Sequence, residues 1–157
     1  MAKKDDKKND PQICVNKNAT RNFHLSDRIE AGLVLLGTEV KSIRTGSCHI
    51  NDAYAYPERH ELFLMNMHIA PYSHGNRYNH DPLRRRKLLL HKLELSKLLG
   101  AVTEKGFTLV PIRLYWVKGR VKVEIALGKG KNKGDKRNDV QRRDAQREID
   151  HATKRSR

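Results

Sequence analysis

The side chains with the greatest chemical capacity crowd into one stretch, Met67–His91, MHIAPYSHGNRYNHDPLRRRKLLLH. His74, Asn76, Arg77, Tyr78 and His80 stand almost side by side, and Arg84, Arg85, Arg86 and Lys87 follow closely. Guanidinium and ammonium groups bind phosphate oxygens, rings stack on bases or ribose, and carboxamides bond to base edges. This mixture suits an RNA-like partner better than a small apolar ligand. Asn16, Lys17 and Arg21 make a second polar, basic segment that can lie extended along the same partner, and Lys41 and Arg44 add cations between Gly37 and Gly46. Glu30 is an exception on a basic chain. A carboxylate can accept from a base amino group or a ribose hydroxyl, which no cation can do, and its ordinary alternative is a salt bridge inside the fold.

Other chemistries are poorly supplied. His74, His80, Asp81 and His91 are irregularly spaced, and neither H-x-x-x-H nor H-E-x-x-H occurs, so no metal site is expected. Cys14 and Cys48 are single residues without C-x-x-C spacing, which indicates neither a zinc site nor a disulfide framework. A metal-dependent ribonuclease would have Glu30, Glu39, Asp52, Glu61 and Asp81 as acids and His68 or His74 as a base. No spacing pairs any two of them, so the reading is a non-enzyme without a cofactor. His68 and Trp116 read as residues of the fold rather than contacts.

The whole chain carries 33 Lys+Arg against 18 Asp+Glu over 157 residues, a net charge of +15. Such a surface releases condensed counterions when it covers phosphates, so nucleic acid leads over an anionic membrane surface. The first ten residues, MAKKDDKKND, lack the apolar centre of a signal peptide, and the apolar runs are as short as Leu33–Leu36. A reducing, cytoplasmic location is expected, with no membrane partner.

Three parts are expected to position these residues. Residues 1–12 read as a disordered leader, 13–127 as one globular domain and 128–157 as a basic tail. The domain reads as Phe23–Ile29 and Leu33–Leu36 strands broken at Ala31-Gly32, with Glu30 in the turn. A short helix follows, with Thr38 as N-cap, Glu39 at its first position and Gly46 beyond its end. Ile50–Tyr56 and Leu62–Ile69 form a hairpin around Glu58–Glu61, with Phe63, Met65, Met67 and Ile69 on one face. Asp81-Pro82 is read as a helix start, with a bend near His91 and a core stripe of Leu95, Leu98, Leu99 and Val102 ending at Gly106. Phe107–Val117, with a bulge or edge at Pro111, and the alternating Val121, Val123, Ile125 and Leu127 are the last strands. The fold class expected is β-dominated, a small OB-like antiparallel barrel with flanking helices, with an SH3-like barrel or a split α+β sheet as alternatives. The tail adds +6 and has almost nothing to bury. It is expected to be disordered alone and helical against RNA, with Lys129, Lys131, Lys133, Asp135, Lys136, Arg137, Arg143 and Arg147 as its contacts.

Several multi-residue blocks in order carry a family likeness: Gly37-Thr38-Glu39-Val40-Lys41-Ser42, Asn66-Met67-His68-Ile69, His74-Gly75-Asn76-Arg77, His80-Asp81-Pro82-Leu83-Arg84, Arg86-Lys87-Leu88-Leu89-Leu90-His91, Gly106–Pro111 and Asp135-Lys136-Arg137. Over about residues 13–150 the sequence resembles the SsrA-binding protein (SmpB) family. The resemblance implies a non-enzymatic monomer with an OB-like barrel that binds the tRNA-like domain of tmRNA. It also implies delivery to the A site of stalled ribosomes in trans-translation, with the tail in the empty mRNA channel of the small subunit. By likeness, Asn16, Lys17 and Glu30 support tmRNA binding, and the Gly37–Ser42 helix with the His74–Lys87 region matches the family's basic surface. Family members usually have His or an aromatic residue before the Asp-Lys-Arg of the tail, where this chain has Gly134. Thr20 and Asn22 also stand where charged residues are common. A ribosomal-RNA-binding assembly protein of OB fold is the alternative.

Overall fold

The computed structural model describes residues 11–155. The expectation of a disordered leader therefore falls, for residues 1–10, outside the described residues. The elements are β1 (Gln12–Val15), α1 (Ala19–Asn22), β2 (Phe23–Leu33), α2 (Gly37–Arg44), β3 (Cys48–His49), β4 (Tyr54–Glu58), β5 (Glu61–Met65), β6 (His68–Ile69), β7 (Arg86–Leu89), α3 (Lys92–Lys105), β8 (Thr108–Val117), β9 (Arg120–Gly130) and α4 (Lys133–Arg155). All the pairings are antiparallel. The order β8-β4-β5-β7-β2-β9, with β9 returning to β8, closes a six-stranded ring, the expected small OB-like barrel. β1 adds to the free half of β8, and β3 pairs with β6 beside the barrel.

The alternation of β9 explains the closure. Val121, Val123, Ile125 and Leu127 are buried, whereas Lys122 and Glu124 are only half-buried. Pro111 stands at the register shift of the β8–β9 ladder, where its missing N–H leaves no gap in the pairing. Leu62, Leu64, Leu88, Leu109, Leu114, Val123 and Ile125 meet inside, with Leu98 of α3 covering one end.

Several sequence expectations are corrected. β2 runs unbroken through Ala31 and Gly32, and Glu30 faces Glu124 in a ladder rather than standing in a turn. Small residues there serve packing, since a Cβ on Gly32 would lie 3.3 Å from that of Leu89. Val34–Leu36 are outside the strand. Leu36 caps α2 and its N–H donates to Glu39 Oε2 at 2.7 Å, so Glu39 is the third helical residue and not the first. The hairpin turn at Arg59-His60 is as expected, both residues being left-handed (φ 46° and 62°). Its return strand ends at Met65, because Asn66 takes φ 56° and shifts the alternation by one. Leu62 and Leu64 then face inward together with Met67 and Ile69, while Phe63 and Met65 stay half-exposed.

The largest correction concerns Asp81–Leu90. Asp81 and Pro82 start no helix. The Asp81 carboxylate accepts the Leu83 N–H at 2.9 Å and its carbonyl accepts that of Arg84, which makes a turn. Arg86–Leu89 is a strand between β5 and β2, with Arg86 and Leu88 inward and Lys87 and Leu89 outward. Only at His91 does a helix begin, where the His91 N–H bonds Glu94 at 3.2 Å, and α3 ends at the left-handed Gly106.

Candidate nucleic-acid interface

The chemistry-rich stretch is built around a charge that RNA cannot reach. Arg86, expected among the RNA contacts, is fully buried. Its Nε donates to Glu39 Oε1 at 2.8 Å, and its Nη atoms donate to the carbonyls of Met67 (2.6 Å), Arg84 (2.9 Å) and Pro82 (3.2 Å). Glu39 is equally buried, and it also accepts from Arg84 at 2.7 Å and 3.2 Å. Burial alone would raise the Glu39 pKa. Hydrogen bonds from Arg84 and the Leu36 N–H, with the charge of Arg86, outweigh it and hold the carboxyl below its ordinary 4.5. Burial lowers the Arg86 pKa, against the opposing pull of Glu39. This cluster fastens α2 to the chain on both sides of the loop between β6 and β7.

The loop itself is pinned by two more side chains. His80 is buried, with Nδ1 at 3.0 Å from Thr38 Oγ1 and Nε2 at 2.9 Å from the Ile69 carbonyl. The carboxamide of Asn79 accepts the Tyr72 N–H (2.8 Å) and donates to the Tyr72 carbonyl (2.7 Å). Gly75 is forced by this clamp, since a Cβ there would lie 2.7 Å from the Asn79 side chain. Held in this way, the loop presents its polar groups outward. Tyr78 is 73% exposed, with the Arg77 guanidinium 5.1 Å from its ring centre. Lys41 of α2 lies 5.4 Å from the ring of Tyr72, and His74 meets the same ring edge-on. Asn76 is exposed at the start of the 3-10 turn Asn76–Tyr78.

α2 also borders the pocket of Glu30. Glu30 accepts from the Tyr115 hydroxyl at 2.5 Å and lies 3.5 Å from Lys122 Nζ. Burial, then the bond to Glu30, raises the Tyr115 phenol above its ordinary range. A cavity of about 600 Å³ opens beside Glu30, lined by Val40, Leu89, Leu90, Trp116, Arg120 and Lys122 among others. Arg44 lies 5.9 Å from the Trp116 ring centre. Trp116, Arg120 and Lys122 were missed from the sequence as neighbours of Glu30. The outward phase of Lys122 on β9 was the available signal.

The remaining expected residues divide by exposure. Asn16 is buried, its Nδ2 donating to the Pro111 carbonyl at 2.9 Å and its Oδ1 accepting from Asn18 and Ala19, so it shapes the backbone that exposes Lys17. Arg84 is tied to Glu39 and Lys87 to Glu61, while the exposed Arg85 pairs with Glu58 at 2.6 Å over the ring of Phe63. In the tail, Lys131 is structural: its Nζ meets the Thr20 carbonyl (2.7 Å) and Asp139 (2.6 Å). Asp135 faces the Asn132 N–H and His24. Lys129, Lys133, Arg143 and Arg147 are exposed. Arg21 shares a groove of about 580 Å³ with Lys136, Arg137, Arg143 and Arg147 of α4, which brings a barrel-side residue to the tail. Among the described residues, Lys17, Arg21, Lys41, Arg44 and Arg77 enter no ion pair, so their charge is available to phosphates.

The family model described as SmpB protein matches residues 13–155. The chain belongs to the SmpB family. The SsrA-binding protein of Geobacillus kaustophilus is 56% identical over 140 residues, covering 89% of this chain and 90% of the relative. The SsrA-binding protein of Bacillus subtilis is 53% identical over 137 residues, covering 87% and 88%. A solved structure described as "tmRNA-SmpB: a journey to the center of the bacterial ribosome" aligns with a TM-score of 0.65 and 44% identity, over 82% of this chain and 94% of that one. The SmpB assignment thus spans the barrel and all of α4.

Proposed function

We propose that this chain binds the tRNA-like domain of tmRNA and carries it to stalled ribosomes in trans-translation, as a non-enzymatic, cytoplasmic factor. Its SmpB family membership and its SsrA-binding relatives support the partner. The observation that carries the mechanism is α2, whose unpaired Lys41 and Arg44 lie between the Tyr72–Tyr78 loop and the Glu30 pocket. Such a surface positions a folded RNA by phosphate contacts and leaves rings and a carboxylate for nucleosides. The tail is proposed to act separately, in the empty mRNA channel by the decoding site of the small subunit. α4 buries no apolar face, Val140 and Ile149 being 51% and 58% exposed, so an RNA wall is a natural source of the stability it lacks.

Titration of the full chain with the tRNA-like domain tests this reading. Affinity well above that for an unrelated hairpin at the same salt is expected, and equal affinity would overturn it.

A further inference from the structure

Cys14 and Cys48 are 34 residues apart in the chain, yet their sulfurs lie 3.9 Å from one another. They belong to different elements. Cys14 is on β1, which pairs only with β8 at the margin of the sheet, beside a register shift. Cys48 is on β3, directly after α2. Both are half-buried against the core and neither is in a disulfide. We infer that Cys14 and Cys48 form a two-electron redox pair that closes to an intramolecular disulfide when the chain meets a peroxide, reversibly tying β1 to β3.

The geometry supplies the main condition. A disulfide needs sulfurs about 2.0 Å apart, and the remaining gap is within the reach of small side-chain rotations aided by the irregular pairing beside Cys14. The electrostatics set the roles. Cys48 is pushed toward the thiolate by the hydrogen bond with Cys14 and, against the effect of burial, by the charge of Arg86, whereas Cys14 keeps its proton. The Cys48 thiolate attacks one oxygen of hydrogen peroxide. The O–O bond breaks, hydroxide leaves and takes up the proton that the Cys48 thiol released, giving the first water, and Cys48 becomes a sulfenic acid. The Cys14 sulfur then attacks the Cys48 sulfur. The S–S bond forms, the S–O bond breaks, and the Cys14 proton leaves with the departing hydroxide as water. Two thiols and one peroxide give one disulfide and two waters, the sulfur pair losing the two electrons that the peroxide gains.

The bond fixes the edge strand that leads into Asn16 and Lys17. Closing a loop of this length restricts the unfolded chain, so the melting temperature of the oxidised protein rises by about 10 °C. The test uses the full chain with one equivalent of hydrogen peroxide. Expected are loss of both titratable thiols, a mass lower by about 2 Da on the monomer, recovery with dithiothreitol, and the higher melting temperature. Cys14→Ser is expected to stop at a sulfenic acid that dimedone captures on Cys48, and Cys48→Ser to react roughly tenfold more slowly. Persistence of both thiols in the wild type, oxygen adducts in place of the disulfide, or a covalent dimer would each overturn the inference. These readouts need no RNA, so they are independent of the proposed function.

Discussion

At the scale of single residues, the basic run Arg84–Lys87 shows how one charge type serves opposite ends. The sequence offers four adjacent cations and no means to rank them. In the fold the strand phase ranks them, sending Arg86 inside to Glu39 and Arg85 outside. A buried cation is tolerable only with its partner in place, so Glu39→Gln is expected to cost about 3–5 kcal/mol in urea unfolding at pH 7. The pH dependence has a definite sign. Because the folded pKa of Glu39 lies below 4.5, its contribution is complete above that pH and is lost as the pH falls through the folded value. In Glu39→Gln, stability between pH 5 and pH 3 should fall less steeply than in the wild type, by at most about 1.4 kcal/mol per pH unit. Tyr78 is the opposite case. Its ring is mostly in solvent, so Tyr78→Ala should leave the melting temperature unchanged, and it should weaken binding to the tRNA-like domain roughly tenfold if one base stacks there. No change in affinity would remove Tyr78 from the interface.

At the scale of elements, legibility followed the strength of the local pattern. β9 was read correctly because its alternation is strict, and the presence of α2, though not its cap, because a short helical run stops before Gly46. β7 was misread because Asp-Pro signals a turn as well as a helix start, and Leu88-Leu89-Leu90 carries neither period. Its strand state comes from the barrel, which needs a partner between β5 and β2. The slip at Asn66 was equally invisible, since a left-handed Asn leaves no mark on hydropathy. For the candidate interface, residue types were legible and burial was not: the polar character of Asn16 and Lys131 gave no hint that both hold backbone carbonyls. Gly128 exposes the same tertiary logic. A Cβ there would lie 2.8 Å from Val110 Cγ2 and 3.1 Å from the Phe23 ring, at the point where β9 is flanked by both β2 and β8. Gly128→Ala is therefore expected to destabilise the barrel by about 1–3 kcal/mol in denaturant melts, through overpacking.

At the scale of the whole molecule, the question is where the barrel stops and the tail begins. Composition changes at Gly128, but the β2–β9 ladder continues through Leu25–Gly128 and His24–Lys129 to Phe23–Gly130, and the Lys131 N–H bonds the Asn22 carbonyl. The strand pairing thus runs past Leu127 and ends just before α4. A chain ending at Leu127 would strip three ladder partners from β2 and expose Phe23, confusing loss of the tail with damage to the barrel. A chain ending at Asn132 keeps the ladder and the Lys131–Thr20 contact and removes only the helix. If barrel and tail act separately, the Asn132 truncation should melt within about 2 °C of the full chain, since α4 buries no apolar face. It should bind the tRNA-like domain within about threefold at fixed salt, the loss coming from the groove that Arg21 shares with α4. Peptide tagging on stalled ribosomes should be abolished in the same preparation. Parallel loss of RNA binding and tagging would place the tail within the tmRNA interface and end the division of labour.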